Sequence, residues 1–126
     1  MLQERRCATM IAVADLDRAV AWYRDKLGLE PAEKAEDGVM YECAGGTRFS
    51  LYPSQFAGTA QSTLMGWETE NLDKDMEDLR GRGVTFEEYD FPGLKTENGV
   101  AQLGTERGCW FKDGDGNILS LFQRTA

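Results

Sequence analysis

The chain contains no histidine, so the side chain most used for transition-metal ligation and for proton transfer near neutral pH is missing. Chemistry must then run on Asp, Glu, Tyr, Lys, Cys or Ser. Glu68 is the acid that strand alternation turns toward an apolar space, where burial would suit it to general-base work with Tyr52 or Lys112 as electrophilic partner. The competing reading makes Glu68 half of a structural ion pair with Arg48 or Lys112. DGDGN (113–117) offers oxygen ligands at the first, third and fifth places of a calcium loop. An EF-hand needs Gly at the sixth place and Glu at the twelfth, where this chain has Ile118 and Arg124, so the motif reads as a hairpin turn. Cys7, Cys43 and Cys109 show no CxxC spacing, which argues against a zinc knuckle or a disulfide framework. Cys7 and Cys43 read as strand residues, and Cys109 should point away from the face that carries Trp110. No Gly-x-Gly-x-x-Gly follows a strand to open a helix. Ser120 stands in the middle of the apolar strand ILSLF, where a lone hydroxyl invites an explanation.

The 126 residues suffice for one domain, 1–126, with a real core. Hydrophobic residues at 41% and charged residues at 29% place the chain among folded proteins. A net charge of -8 argues against nucleic-acid and anionic-membrane partners, which need a concentrated basic surface. The same charge would attract a cationic ligand, or it simply keeps the protein soluble. No stretch of eighteen apolar residues occurs, and the opening MLQERRCATM puts charges where a signal peptide needs its apolar run. A cytoplasmic location, with no membrane partner, is therefore expected.

The elements that would position these groups come twice. TMIAVAD (9–15) reads as a strand ending in a helix-capping Asp. Leu16, Ala19, Val20, Tyr23 and Leu27 then form one apolar stripe before Gly28 ends the helix. A strand-like passage starts at Leu29. VMYECAGGTRFSLY (39–52) reads as a hairpin with Ala44-Gly45-Gly46 as its loop, which pairs Glu42 with Arg48, Tyr41 with Phe49 and Val39 with Leu51. After Pro53 and a linker (54–62), the order repeats: a strand, an Asn71 cap, a helix carrying Leu72, Met76 and Leu79, and three more strands. Asp15, Val20 and Tyr23 align with Asn71, Met76 and Leu79 at one constant offset, so module one (7–53) and module two (63–123) are repeats.

The reading is thus α+β: two βαβββ modules forming an open, curved mixed sheet around a cleft, with helices on the outer face. Alternation puts Ile11, Val13, Phe49, Leu51, Met65, Trp67, Leu119 and Leu121 toward the helices. Ala8, Met10, Arg48, Ser50, Tyr52, Leu64, Gly66 and Glu68 would face the cleft, with Trp110, Lys112, Ile118, Ser120 and Phe122. FPGLKTENG (91–99) is long enough to close over it as a lid, with Gly93 and Gly99 as hinges, or to be a plain surface connection.

The paired modules, ADLDRAVAWYRDKLGLE, FSLYPS and the closing WFKDGDGNILSLFQ resemble the vicinal oxygen chelate superfamily, which includes glyoxalase I, extradiol dioxygenases and bleomycin-resistance proteins. The resemblance implies metal-ligand places on the first and last strand of each module. Here they fall on Ala8, Ser50, Leu64 and Ser120, none of which replaces His, Gln or Glu. Ser120 thus stands where metal-dependent members would hold a glutamate. Neither metal nor other cofactor is expected.

The leading expectation is a metal-free small-molecule-binding protein, with a basic or aromatic ligand held by Met10, Arg48, Ser50, Tyr52, Leu64, Glu68, Trp110, Ser120 and Phe122. Two alternatives stand beside it: a lyase, isomerase or dioxygenase-like enzyme of the same superfamily, with Glu68 as the candidate catalytic residue, and an accessory or regulatory dimer acting through its surface. The resemblance also implies a homodimer.

Overall fold

In the computed structural model, which describes residues 1–125, the repeat takes the form of two sheets and two helices. Strand β1 (Thr9–Val13) leads into helix α1 (Leu16–Leu27). The Asp15 carboxylate accepts the Arg18 N–H, one of the amide donors that a helix start leaves without an intrahelical partner. At the other end Gly28 takes φ 71° and its N–H reaches back to the Arg24 carbonyl, a left-handed stop that costs a side-chain-free residue little. Three strands follow: β2 (Glu33–Ala35), β3 (Gly38–Glu42) and β4 (Arg48–Pro53). The second round has β5 (Thr63–Glu68), α2 (Leu72–Gly81) capped by Asn71, and the short hairpin β6 (Asp90–Phe91) and β7 (Leu94–Lys95). It closes with β8 (Ala101–Leu103), β9 (Glu106–Lys112) and β10 (Ile118–Arg124).

The sheets have matching orders, β1-β4-β3-β2 and β5-β10-β9-β8, with the first strand of each module parallel to the last. The hairpin register is the one that the Glu42–Arg48 pairing requires. Two strand assignments are corrected. The passage after Leu29 is irregular until Glu33, and Cys7 and Cys43 lie just outside β1 and β3. Cys43 still donates its N–H to the Thr47 carbonyl and closes the hairpin loop.

One apolar core joins the modules. Ile11, Val13, Phe49, Leu51, Leu119 and Leu121 are buried in it, with Met65 and Trp67 packed against it. The seam is aromatic: the Phe49 ring meets Trp67 edge-on at 5.8 Å, and Trp67 lies parallel to Phe111 at 6.4 Å. The helix ends meet here as well. The Arg82 guanidinium lies 3.2 Å from where a Cβ on Gly28 would stand, and the Lys26 ammonium 2.6 Å from where one on Gly83 would stand. Each cation thus sits by the C-terminal end of the other helix, where the helix dipole favours positive charge.

The turn DGDGN is the second tie between modules. Asp113 is buried, and its carboxylate accepts the Tyr23 hydroxyl of α1 at 2.7 Å, the Asn117 amide at 2.9 Å and the N–H groups of Asp115 and Asn117. Asn117 donates to the Ala12 carbonyl of β1 at 2.8 Å and accepts the Gly58 N–H of the linker at 3.1 Å. Asp115 accepts the Ala14 N–H and pairs with Arg18 at 3.6 Å. Burying a carboxylate is costly unless its oxygens are saturated with donors, and here four donors saturate them.

Candidate functional site

The expected site residues divide among several places, because each sheet spends its apolar face on the shared core and presents its other face to solvent. Over the first sheet, Met10, Ser50 and Tyr52 line a cavity of about 280 Å³. Ser50 lies between Met10 of β1 and Met40 of β3 in the strand register, so two thioethers flank one hydroxyl. Met10 is 71% exposed and Tyr52 41%. Met40 belongs to this cavity too; the alternation of β3 could have supplied it, since it shares a face with Glu42.

On the second sheet, Ser120 lies between Gly66 of β5 and Trp110 of β9. A Cβ placed on Gly66 would stand 2.3 Å from the Ser120 hydroxyl, so the small residue is what leaves that hydroxyl room. Trp110 meets the Tyr89 ring at 5.7 Å, and Tyr89 meets Phe91 at 5.8 Å. Burial and the Glu87 carboxylate push the Tyr89 phenol up. Ile118 and Phe122 are half-buried.

Arg48 lies at the seam, in a cavity of about 340 Å³ shared with Ala8, Gly66 and Trp67. It pairs with Glu42 at 4.0 Å, and its Nε is buried without a partner. Leu64 packs against the core instead of facing the open side, because a bulge between Ile118 and Leu119 breaks the pairing at this point. Glu68 is also corrected. It stands at the end of β5, more than half exposed, beside Arg124 at 3.9 Å, while Lys112 pairs with Glu87 at 3.5 Å. Neither expected ion pair forms, and the trio of Glu68, Tyr52 and Lys112 is not brought together. Arg124 lies two residues beyond Phe122, the register partner of Glu68, and so reaches the same strand end.

The segment 91–99 takes the form of the β6–β7 hairpin and the turn that follows it, tied by hydrogen bonds. Thr96 is buried and its hydroxyl accepts the Tyr89 N–H at 2.8 Å, while Glu88 accepts the Gly99 N–H at 2.6 Å. Gly93 and Gly99 hold left-handed turns inside this network. Through Tyr89 the hairpin lies against Trp110.

The four metal-ligand places of the resembled family do not fit a divalent ion. Ser50 and Ser120 have Met10, Met40, Gly66 and Trp110 as register neighbours, and Ala8 and Leu64 carry no donor. Among the described residues no group of three or more His, Cys, Asp or Glu side chains converges. Cys109 is buried, and burial pushes its thiol up to about 11, which makes it a poor nucleophile. Burial likewise pushes the Tyr41 phenol up to about 12. The unfolded chain releases these protons first, so the stability they contribute is intact below about pH 9 and is lost as the pH rises through 11 to 12. Urea unfolding at pH 7, 9 and 11 should show a midpoint that falls only across the upper interval.

A sequence model of the Glyoxalase/Bleomycin resistance protein/Dioxygenase superfamily matches residues 7–121. No curated protein matches the chain. Among solved structures, a glyoxalase/bleomycin resistance protein from Catenulispora acidiphila DSM 44928 is 26% identical, with 94% of this chain and 96% of that one covered at a TM-score of 0.66. TnmS3, an antibiotic binding protein from Streptomyces sp. CB03234, is 20% identical, with 98% of each chain covered at 0.73. The oxidase ChaP-H2 is 19% identical, with 95% and 93% covered at 0.62. No helix of the described chain is long and apolar enough to cross a membrane. A match that runs from residue 7 to residue 121, over modules whose strand orders repeat, means that the chain belongs to the glyoxalase/bleomycin resistance protein/dioxygenase superfamily.

Proposed function

We propose that the protein binds a small organic molecule, without metal and without turnover, on the open faces of its two sheets. The observation that carries this reading is the cavity over the first sheet, where Met10 and Met40 flank Ser50 beside Tyr52. Thioethers adapt their shape to an apolar ligand, and a single hydroxyl gives it an orientation. Trp110, Ser120 and Phe122 form a comparable patch on the second sheet, where an aromatic ligand would stack. At the seam, the unpartnered Nε of Arg48 would take an acceptor atom of the same ligand. The dispersal of Glu68, Tyr52 and Lys112 favours this reading over the enzyme reading, and one protein of the same fold, TnmS3, is an antibiotic binding protein. A second copy of this chain, as the family resemblance implies, would cover the exposed Met10 and Tyr52.

Equilibrium dialysis against a panel of flat aromatic compounds, with mass spectrometry of both chambers, tests the proposal. The expected result is saturable uptake of one compound, recovered unaltered, with affinity reduced on the order of tenfold in Met10→Ala and Trp110→Ala. Glu68→Gln should leave the uptake of an uncharged compound unchanged. A product that forms with the native chain and is lost with Glu68→Gln would install the enzyme reading instead. Uptake indifferent to both Met10→Ala and Trp110→Ala would overturn the proposed site.

A further inference from the structure

A cleft larger than the cavities at the first sheet and at the seam lies at the C-terminal ends of the two helices. It has a volume of about 830 Å³, within the range that encloses a drug-sized molecule. Its floor is apolar, made by Leu27, Leu29, Trp67, Phe111 and Leu121. Its rim carries four carboxylates, Glu68, Glu70, Asp75 and Asp78, against one cation, Arg82. Two of the carboxylates are already engaged, Glu68 with Arg124 and Asp75 with the Thr69 hydroxyl. Glu70 and Asp78 have no ion pair among the described residues. The Arg82 guanidinium is turned against Gly28 at the end of α1. Its charge therefore serves the helix dipole before it serves the rim.

An apolar aromatic floor under a rim of surplus negative charge selects one ligand chemistry: a planar apolar body carrying a single positive charge. Such a body buries its rings against Leu29 and Trp67 while its ammonium or amidinium group reaches Glu70 and Asp78. A neutral ligand would gain the floor but not the rim, and an anion would be repelled. We propose that this cleft is a second binding site, separate from the open sheet faces, for small aromatic cations. It shares no lining residue with the cavity over the first sheet and only Trp67 with the cavity at the seam, so Leu29 and Glu70 are the amides that report on it alone.

The test uses the full chain, ¹⁵N-labelled, with 2-naphthylmethylammonium as probe and 2-naphthylmethanol as its uncharged counterpart. The cation should shift the Trp67 indole N–H and the amides of Leu29 and Glu70 in a saturable way. Binding should weaken on the order of fivefold for the alcohol, for the double variant Glu70→Gln/Asp78→Asn, and on raising the salt from 0.02 to 0.5 M. Both substituted residues lie at the solvent-facing rim, and an unchanged midpoint of unfolding would show that the variant keeps its fold. Shifts confined to Met10, Ser50, Tyr52 and Trp110 would overturn the second site while supporting the sheet-face site. Equal binding of amine and alcohol, or a double variant that binds as the native chain does, would overturn the charge selection. No saturable shift anywhere would overturn the site altogether.

Discussion

Asp113→Ala should lower the stability of the protein by about 3–5 kcal/mol, the range for breaking a buried, fully paired charged group. The substitution orphans the hydroxyl of the buried Tyr23, one proton of the buried Asn117 amide and two backbone N–H groups of the turn. It also leaves the space of the carboxylate unfilled. Tyr23→Phe removes one of the four donors and keeps the ring that packs on Trp22, Tyr41 and Phe49. Its cost should be smaller, about 1–2 kcal/mol. In the double variant the two losses should fall short of additivity, because the hydroxyl has no partner left to lose. Chemical denaturation of the four proteins, with a shared slope, measures all three quantities. Strict additivity would mean that the hydroxyl and the carboxylate contribute independently.

The second large effect belongs to the linker. Gly58→Ala should cost about 2–4 kcal/mol. Gly58 has φ 70°, a conformation that disfavours any side chain, and an added Cβ would stand 1.8 Å from the Asp115 carbonyl oxygen. That obstacle is backbone, which no rotamer change can clear. The linker must move away, and the bond from the Gly58 N–H to Asn117 goes with it. Thermal unfolding would show the loss, and hydrogen exchange should show faster exchange at Gly58 and around the 113–117 turn. A variant as stable as the native chain would mean that the linker is not held against this turn. Gly45 has a similar φ of 68° but nothing within 4 Å of its added Cβ, so Gly45→Ala should cost only the conformational part, about 1 kcal/mol.

These two residues also show where reading the sequence stops. Periodicity carries the helices, their Asp15 and Asn71 caps and the hairpin register, because each depends on neighbours within a few positions. DGDGN is legible as a turn for the same reason. That its carboxylate and amide tie α1, β1 and the linker together is not legible. Tyr23 and Ala12 lie 90 and 105 residues away, and no local pattern announces the pairing. Glu68 misleads in the opposite way. Strict alternation places it on the open face, but a strand end next to an arginine from the neighbouring strand decides where the carboxylate goes. Leu64 misleads because one bulge breaks the alternation itself. Ser50 and Ser120 are legible, through the family resemblance, as residues in place of metal ligands, and alternation reaches Met10 and Met40; that the two flank Ser50 together needed the parallel register of β1 on β4.

The meeting of the helix ends has a meaning beyond charge. Lys26 and Arg82 occupy corresponding places in the two repeats, and each is followed within two residues by a glycine, Gly28 and Gly83. Lys26 reaches Gly83, and Arg82 reaches Gly28. In symmetric dimers this reciprocity, where one residue touches a second and its counterpart returns the contact, is the mark of an isologous interface around a two-fold axis. Here both sides of that interface belong to one polypeptide. The seam between the modules thus has the form that a protein of half this length would use to pair with itself.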